Sequence, residues 1–115
     1  MTAVSPTAVV AMTELDDPAG TAVVTGSTHS FTPTKRLDKV LVRLVDTSTS
    51  SNAIVFKAGD ASPAQSEGLG DLTITVGGSA TSFVGGLESA RFMQDNGSVE
   101  FTVAGNATVT VLELP

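Results

Sequence analysis

Cysteine is absent from the 115 residues, which rules out disulfides, thiolate zinc sites and cysteine nucleophiles together. Tryptophan and tyrosine are absent as well, leaving five phenylalanines as the only aromatics. Sugar-binding platforms, antibody-like paratopes and most transient protein hot spots lean on Tyr and Trp, so the material for such surfaces is missing. No apolar run reaches the ~18 residues needed to cross a bilayer, and no membrane partner is expected. The N-terminal stretch MTAVSPTAVV lacks both a basic region and a continuous apolar stretch, so no cleaved signal is expected either. Charged residues amount to 16% of the chain. The net charge of −6 and a pI near 4.4 argue against a general nucleic-acid binder.

What is present points to one β domain. A chain of 11.6 kDa can bury roughly 65% of its open-chain surface on folding, enough for one core without staples. Fifteen valines and sixteen threonines favour strands through their branched Cβ atoms, and eleven glycines and five prolines punctuate the chain at short intervals. Asp71 to Val76 alternates strictly, with Leu72, Ile74 and Val76 on one side and Thr73 and Thr75 on the other. Ser98 to Val103 does the same with Val99, Phe101 and Val103. Leu37 to Val45 is apolar on both faces. Leu37, Leu41 and Leu44 also fit a helical spacing there, but the valines and the following Thr-Ser run favour a strand, central or covered from outside. Ala53 to Lys57 follows as a further strand, and Thr7 to Met12 and Ala22 to Thr25 are weaker ones. The expected fold is all-β: a single antiparallel β-sandwich or small barrel of seven to nine short strands. Residues 1–30 are expected to form an extended N-terminal arm with edge strands, and residues 31–115 the sandwich core, as one domain overall.

The turns are expected to arrange the C-terminal third. Asn96-Gly97 suits the two positive-φ positions of a type I′ turn, so Ala90 to Gln94 and Ser98 to Val103 should form a hairpin. A tight turn at Ala104-Gly105-Asn106 then leads into Ala107 to Leu114, which extends the hairpin into a three-strand meander. Residues 14–20 and 58–70 read as loops from their Pro, Gly, Asp and Ser content.

Reactive constellations are scarce. His29 is the only histidine, with no partner at a recognisable spacing, and reads as a strand or loop histidine with satisfied nitrogens. No G-x-S-x-G elbow occurs. Oxygen-ligand metals would have only Glu14, Asp16 and Asp17, or Asp60, Glu67 and Asp71, and neither group follows an EF-hand spacing. Neither Gly68-Leu-Gly70 nor Gly85-Gly86 stands in a phosphate-binding context. No enzyme, metal or cofactor is expected. Charge is also uneven: Lys35 to Lys57 carries a net +3, and the rest of the chain a net −9. Such polarity suits a basic segment meeting an acidic surface.

Three stretches carry a more specific likeness. They are KVLVRLVDTSTSSNAIVFKAGD (39–60), GLGDLTITVGGSATSFVGGLESARFMQDNGSVEFTV (68–103) and the terminal ATVTVLELP. In the Ala58-Gly59-Asp60 corner, the Gly70 to Val76 strand, the Val84 to Gln94 segment, the Asn96-Gly97 turn and the final apolar strand, the chain resembles capsid decoration (cement) proteins of tailed bacteriophages. The resemblance covers about two-thirds of the chain and rests on turn and strand signatures. It implies a virion structural protein on the capsid exterior, assembled in the bacterial cytoplasm. Its partners would be the major capsid protein and further copies of itself, often as trimers. Another phage structural module, from a tail or fibre, or a bacterial adhesion domain shares the same texture. The expected contact residues are Thr2, Val4, Pro6, Val9 and Met12 of the arm and Lys39, Leu41, Arg43 and Val45 of the two-faced segment. Leu41 and Val45 have no obvious place in a core that Val40, Val42 and Leu44 already fill.

Overall fold

The two-faced segment is a strand. In the computed structural model Val40–Asp46 (β5) buries Val40, Val42, Leu44 and Asp46, each at most 2% exposed, while Leu41, Arg43 and Val45 between them stay half-buried. A helix would have put Leu41 and Leu44 on one side; the period-2 pleat puts them on opposite sides. Leu37–Lys39, just before, is a single 3-10 turn whose Leu37 is buried. The structure describes residues 2–10, 19–34, 36–46, 51–59, 70–78, 81–87, 92–94 and 96–115.

The other strands are Thr2–Ala3 (β1), Thr7–Ala8 (β2), Thr21–Val23 (β3), His29–Phe31 (β4), Asn52–Phe56 (β6), Leu72–Val76 (β7), Thr81–Gly85 (β8), Val99–Val103 (β9) and Ala107–Glu113 (β10). Setting aside the two-residue β1 and β2 leaves eight strands among the described residues, within the expected seven to nine. They form a sandwich of two sheets. The first runs β1-β4-β9-β6-β7; the second runs β2-β10-β5-β8, with β3 also pairing β10. The pairs are antiparallel apart from the two short parallel pairs made by β1 and β2. Between the sheets lie Phe31, Ile54, Phe56, Phe101 and Val103 from the first and Val42, Leu44, Val109 and Val111 from the second. Phe101 sits 6.1 Å from Phe56 and 6.3 Å from Phe31, centroid to centroid, in tilted contacts that aromatic quadrupoles favour.

Residues 2–10 supply edge strands to both sheets, as expected of the N-terminal stretch. β1 lies parallel to β4, with the Val4 amide donating to the Ser30 carbonyl at 2.7 Å. The chain then crosses to the second sheet, where β2 lies parallel to β10 and the Val9 amide donates to the Glu113 carbonyl at 2.8 Å. Pro6 occupies the crossing, where no amide is required of it. Val4 is 3% exposed and belongs to the core, as does Val23 at 1%. That Val4 lies in the core, where a contact residue was expected, has a plain cause. Low sequence contrast over residues 1–10 reads as weak patterning, yet two-residue strands at sheet edges need only one buried side chain to hold them.

The expected C-terminal meander is also corrected. β9 is in the first sheet and β10 in the second, so Ala104-Gly105-Asn106 carries the chain across the sandwich. A side chain replaces strand pairing there. Asn52, 3% exposed, accepts from the Gly105 amide at 2.8 Å and donates to the Gly105 carbonyl at 3.0 Å, as an opposing peptide group would. From the other side the Thr25 amide donates to Asn106 Oδ1 at 3.1 Å, and the Thr25 hydroxyl donates to the Ala104 carbonyl at 2.7 Å.

The Asn-Gly turn forms with a different register from the one expected. The Gly97 amide donates to the Gln94 carbonyl at 2.9 Å and the Gln94 amide to the Ser98 carbonyl at 2.7 Å. This closes a three-residue loop with Gly97 in the left-handed region at φ +85. A type I′ turn would need the Ser98 amide; here that amide donates to Asn96 Oδ1 at 3.1 Å instead. Of the expected incoming strand, Ala90 and Arg91 lie outside the described residues, and Met93 makes an isolated antiparallel bridge with Val99. Near it, Gln94 donates to the Ala58 carbonyl at 3.1 Å, and Gly59 lies so close that a Cβ would overlap the Met93 carbonyl. Within the 58–70 loop, residues 60–69 lie outside the described residues.

Two substitutions check these assignments. Val4→Ala removes two buried methyl groups and should lower unfolding free energy by about 1.5–3 kcal/mol, measured by chemical denaturation, whereas a free arm would give no change. Asn52→Ala should cost about 1–3 kcal/mol by leaving the Gly105 amide and carbonyl without their partner. Asn52→Asp should not rescue it, because a carboxylate oxygen would then face the Gly105 carbonyl.

Candidate interaction surface

The inward choice made by Val40, Val42 and Leu44 forces Leu41, Arg43 and Val45 onto the outer face of the second sheet. The register supplies their neighbours. Leu41 lies between Gly85 of β8 and Leu112 of β10; Arg43 lies between Phe83 and Thr110; Val45 lies between Thr81 and Thr108. Paired residues share a face, so these nine positions form three rows across three strands. Leu41 leans over the space that Gly85 leaves empty: a Cβ on that glycine would sit 3.2 Å from Leu41 Cδ1. On the β10 side the chain roofs part of the face itself. Gly20 packs on Thr108 and Thr110, where a Cβ would come within 2.7 Å of the Thr110 hydroxyl, and Thr110 is 5% exposed as a result. The β8 side is open, and Phe83 is 57% exposed there.

The face is largely apolar. Its outward positions on β5, β8 and β10 include Leu41, Val45, Phe83 and Leu112, one cation in Arg43, and no acid. Lys39 is exposed at the start of β5. Its carbonyl accepts from the Leu114 amide at 2.7 Å, and its ammonium is 3.5 Å from the Pro115 carbonyl. The neighbouring cation Arg36 is paired with Asp38 at 2.9 Å, both largely exposed.

The expected contact residues therefore separate into two groups. Leu41, Arg43 and Val45 share the outer face, with Lys39 at its end. Of the N-terminal residues, Thr2 pairs with His29 in the β1–β4 register, Pro6 and Val9 are half-buried, and Val4 faces inward. Met12 lies outside the described residues. Thr7, opposite Leu112, is two strands from Leu41, about 10 Å across the sheet. Phe83 and Leu112 escaped the sequence reading. Phe83 stands beside Val84 in a short run where either could be the inward residue, and only pairing with β5 settles which.

The chemistry-bearing residues serve the fold. His29 is fully buried against Phe101, at 5.6 Å between centroids. Its Nε2 lies 3.3 Å from the Val24 amide nitrogen and 3.2 Å from the Val24 carbonyl oxygen. Nδ1 has no hydrogen-bond partner among the described residues, whereas both nitrogens were expected to be satisfied. A general base must reach a substrate proton, and His29 is sealed from one. Glu113, 2% exposed, accepts from the Thr34 amide and the Thr34 hydroxyl, both at 2.7 Å, and ties the 32–34 segment to the end of β10. Asp71 accepts from the Ala58 amide at 2.7 Å and stands 3.7 Å from the Lys57 ammonium. Glu14, Asp16, Asp17, Asp60 and Glu67 lie outside the described residues. Among the described residues no group of three or more His, Cys, Asp or Glu side chains is placed to hold a metal, and no helix is long and apolar enough to cross a membrane.

Comparison with protein-family models, with curated proteins and with solved structures finds no match to this chain.

Proposed function

We propose that this chain is a structural protein of a tailed-phage virion that binds the outer surface of the capsid and stabilises the shell. The observation that carries the reading is the outer face of the second sheet. There, Leu41, Val45 and Phe83 form an apolar patch on the outward positions of β5 and β8. Such a patch on a regular sheet suits a protein partner that offers apolar surface, and the major capsid protein is that partner in this reading. The resemblance of residues 39–60 and 68–103 to decoration proteins supports the same conclusion. The contact belongs to β5 and β8 and leaves out Val4, which the core already uses.

A decoration protein gains from having its contact on a regular sheet. β5 is held on both sides, by β10 and β8, so its outward side chains are ordered before any partner arrives. Little further ordering is then lost on binding. Burying Leu41 or Val45 against a partner contributes about 1.5–3 kcal/mol each before ordering costs.

Co-sedimentation with capsids stripped of decoration tests the proposal. The wild-type chain should pellet with them and raise their resistance to heat. Leu41→Asp should weaken binding by roughly 10- to 100-fold while circular dichroism and thermal unfolding show a folded domain. Binding should also fall with added salt, because the exposed Lys39 would meet acids at a partly exposed interface. A chain that ignores capsids and binds an immobilised glycan would be an adhesion module instead.

A further inference from the structure

Among the described residues five strands have one hydrogen-bonded neighbour: β1, β2 and β3, which are two or three residues long, and the five-residue β7 and β8, which end the first and second sheets. An open edge is a row of amides and carbonyls that templates another strand. Folded proteins usually blunt it with lysine, proline, a bulge or an inward charge. β8, Thr81-Ser82-Phe83-Val84-Gly85, has no charge and no proline, and it pairs with β5 in unbroken register over its whole length. Phe83 stands outward on this edge at 57% exposure, whereas the other four phenylalanines are at most 2% exposed. On β7 the exposed side chains are Thr73 and Thr75, which already suit water.

We infer that β8 is a self-pairing edge: two copies of this chain join β8 to β8 in antiparallel fashion, and their second sheets become one continuous sheet. A twofold axis at Phe83 sets Thr81 of one copy opposite Gly85 of the other and Ser82 opposite Val84. The two Phe83 rings then form a cross-strand aromatic pair on the outer face. The register raises no like-charge contact.

Charge explains why a second copy fits at this edge. Chains of net charge −6 repel one another over most of their surface, but β8 is neutral and the outward positions of β5 beside it hold no acid. The Arg43 side chains of the two copies would be three strand spacings apart, about 14 Å. That exceeds the Debye length of about 8 Å at physiological ionic strength, so their repulsion is largely screened. The size of the edge sets the strength. A five-residue strand and one phenylalanine per copy bury less than the ~1,200 Å² of a stable interface, so the dimer is weak and reversible in solution. Copies held side by side on a larger surface would pair far more fully, through effective concentration. The pairing does not depend on the capsid reading, and either can fail without the other.

Sedimentation velocity of the full chain from about 10 μM to about 1 mM, without capsids, tests the inference. A monomer–dimer equilibrium is expected in this range. Phe83→Lys, which places a charge on the edge, should weaken it at least about tenfold, and Thr73→Lys on β7 should leave it unchanged. Amide exchange of the wild-type protein gives a readout independent of any variant: amides in 81–85 should slow as concentration rises, and those in 72–76 should not. A monomer throughout, a trimer, a dimer that survives Phe83→Lys, or exchange in 81–85 indifferent to concentration would each overturn self-pairing at β8.

Discussion

The carboxamide of Asn52 is the interaction on which the arrangement of this sandwich turns. It sits at the start of β6, in the first sheet, and closes a two-hydrogen-bond ring with Gly105 in the corner between β9 and β10. A chain leaving a sheet gives up strand pairing and must find other partners for its backbone groups. Here the side chain reproduces what a neighbouring strand would offer, and Thr25 and Asn106 secure the same corner from the other side. The turn can therefore be three residues long and still deliver β10 to the opposite layer.

That crossing sets the rest of the topology. β10 becomes an interior strand of the second sheet, with β5 on one side and both β2 and β3 on the other. β5 in turn has β10 and β8 as neighbours, which is why it can be apolar on both faces without being buried on both. Among the described residues, β6 and β7 are the only consecutive strands that hydrogen-bond to each other; β4 to β5, β5 to β6, β7 to β8, β8 to β9 and β9 to β10 all change sheet. Such a chain gathers its stability from pairings distant in sequence, so folding is slow relative to a meander of the same length. The N-terminal residues close the structure by touching both sheets, with Val4 sealed between them.

The same economy shapes the surface. His29 is consumed by the core, Glu113 by Thr34, and Asp71 by the Ala58 corner. What the outer face of the second sheet offers is shape, apolar area and one guanidinium. A regular sheet presents them at little entropic cost. Asparagine and threonine side chains hold the turns, so small polar residues that look like loop filler in the sequence are structural joints.

Periodicity determined much of this from sequence alone. The alternation in 71–76, 98–103 and 40–45 identified strands and their inward faces correctly, because the side-chain period of a pleat is a local property that neighbouring residues impose on each other. It also placed Leu41, Arg43 and Val45 on one outward face. Tertiary structure alone decided which strand lies beside which. A three-residue link with a glycine serves a hairpin or a crossing between layers equally well, and the choice at Gly105 depends on Asn52, fifty-three positions earlier. Likewise, Asn96 took the Ser98 amide that a type I′ turn would have used. Phe83 became a surface residue because Val84 won the inward position against β5. Val4 became a core residue because two sheets happen to meet over it. Each of these outcomes turns on hydrogen bonds or packing between residues far apart in the chain, and no local pattern records them.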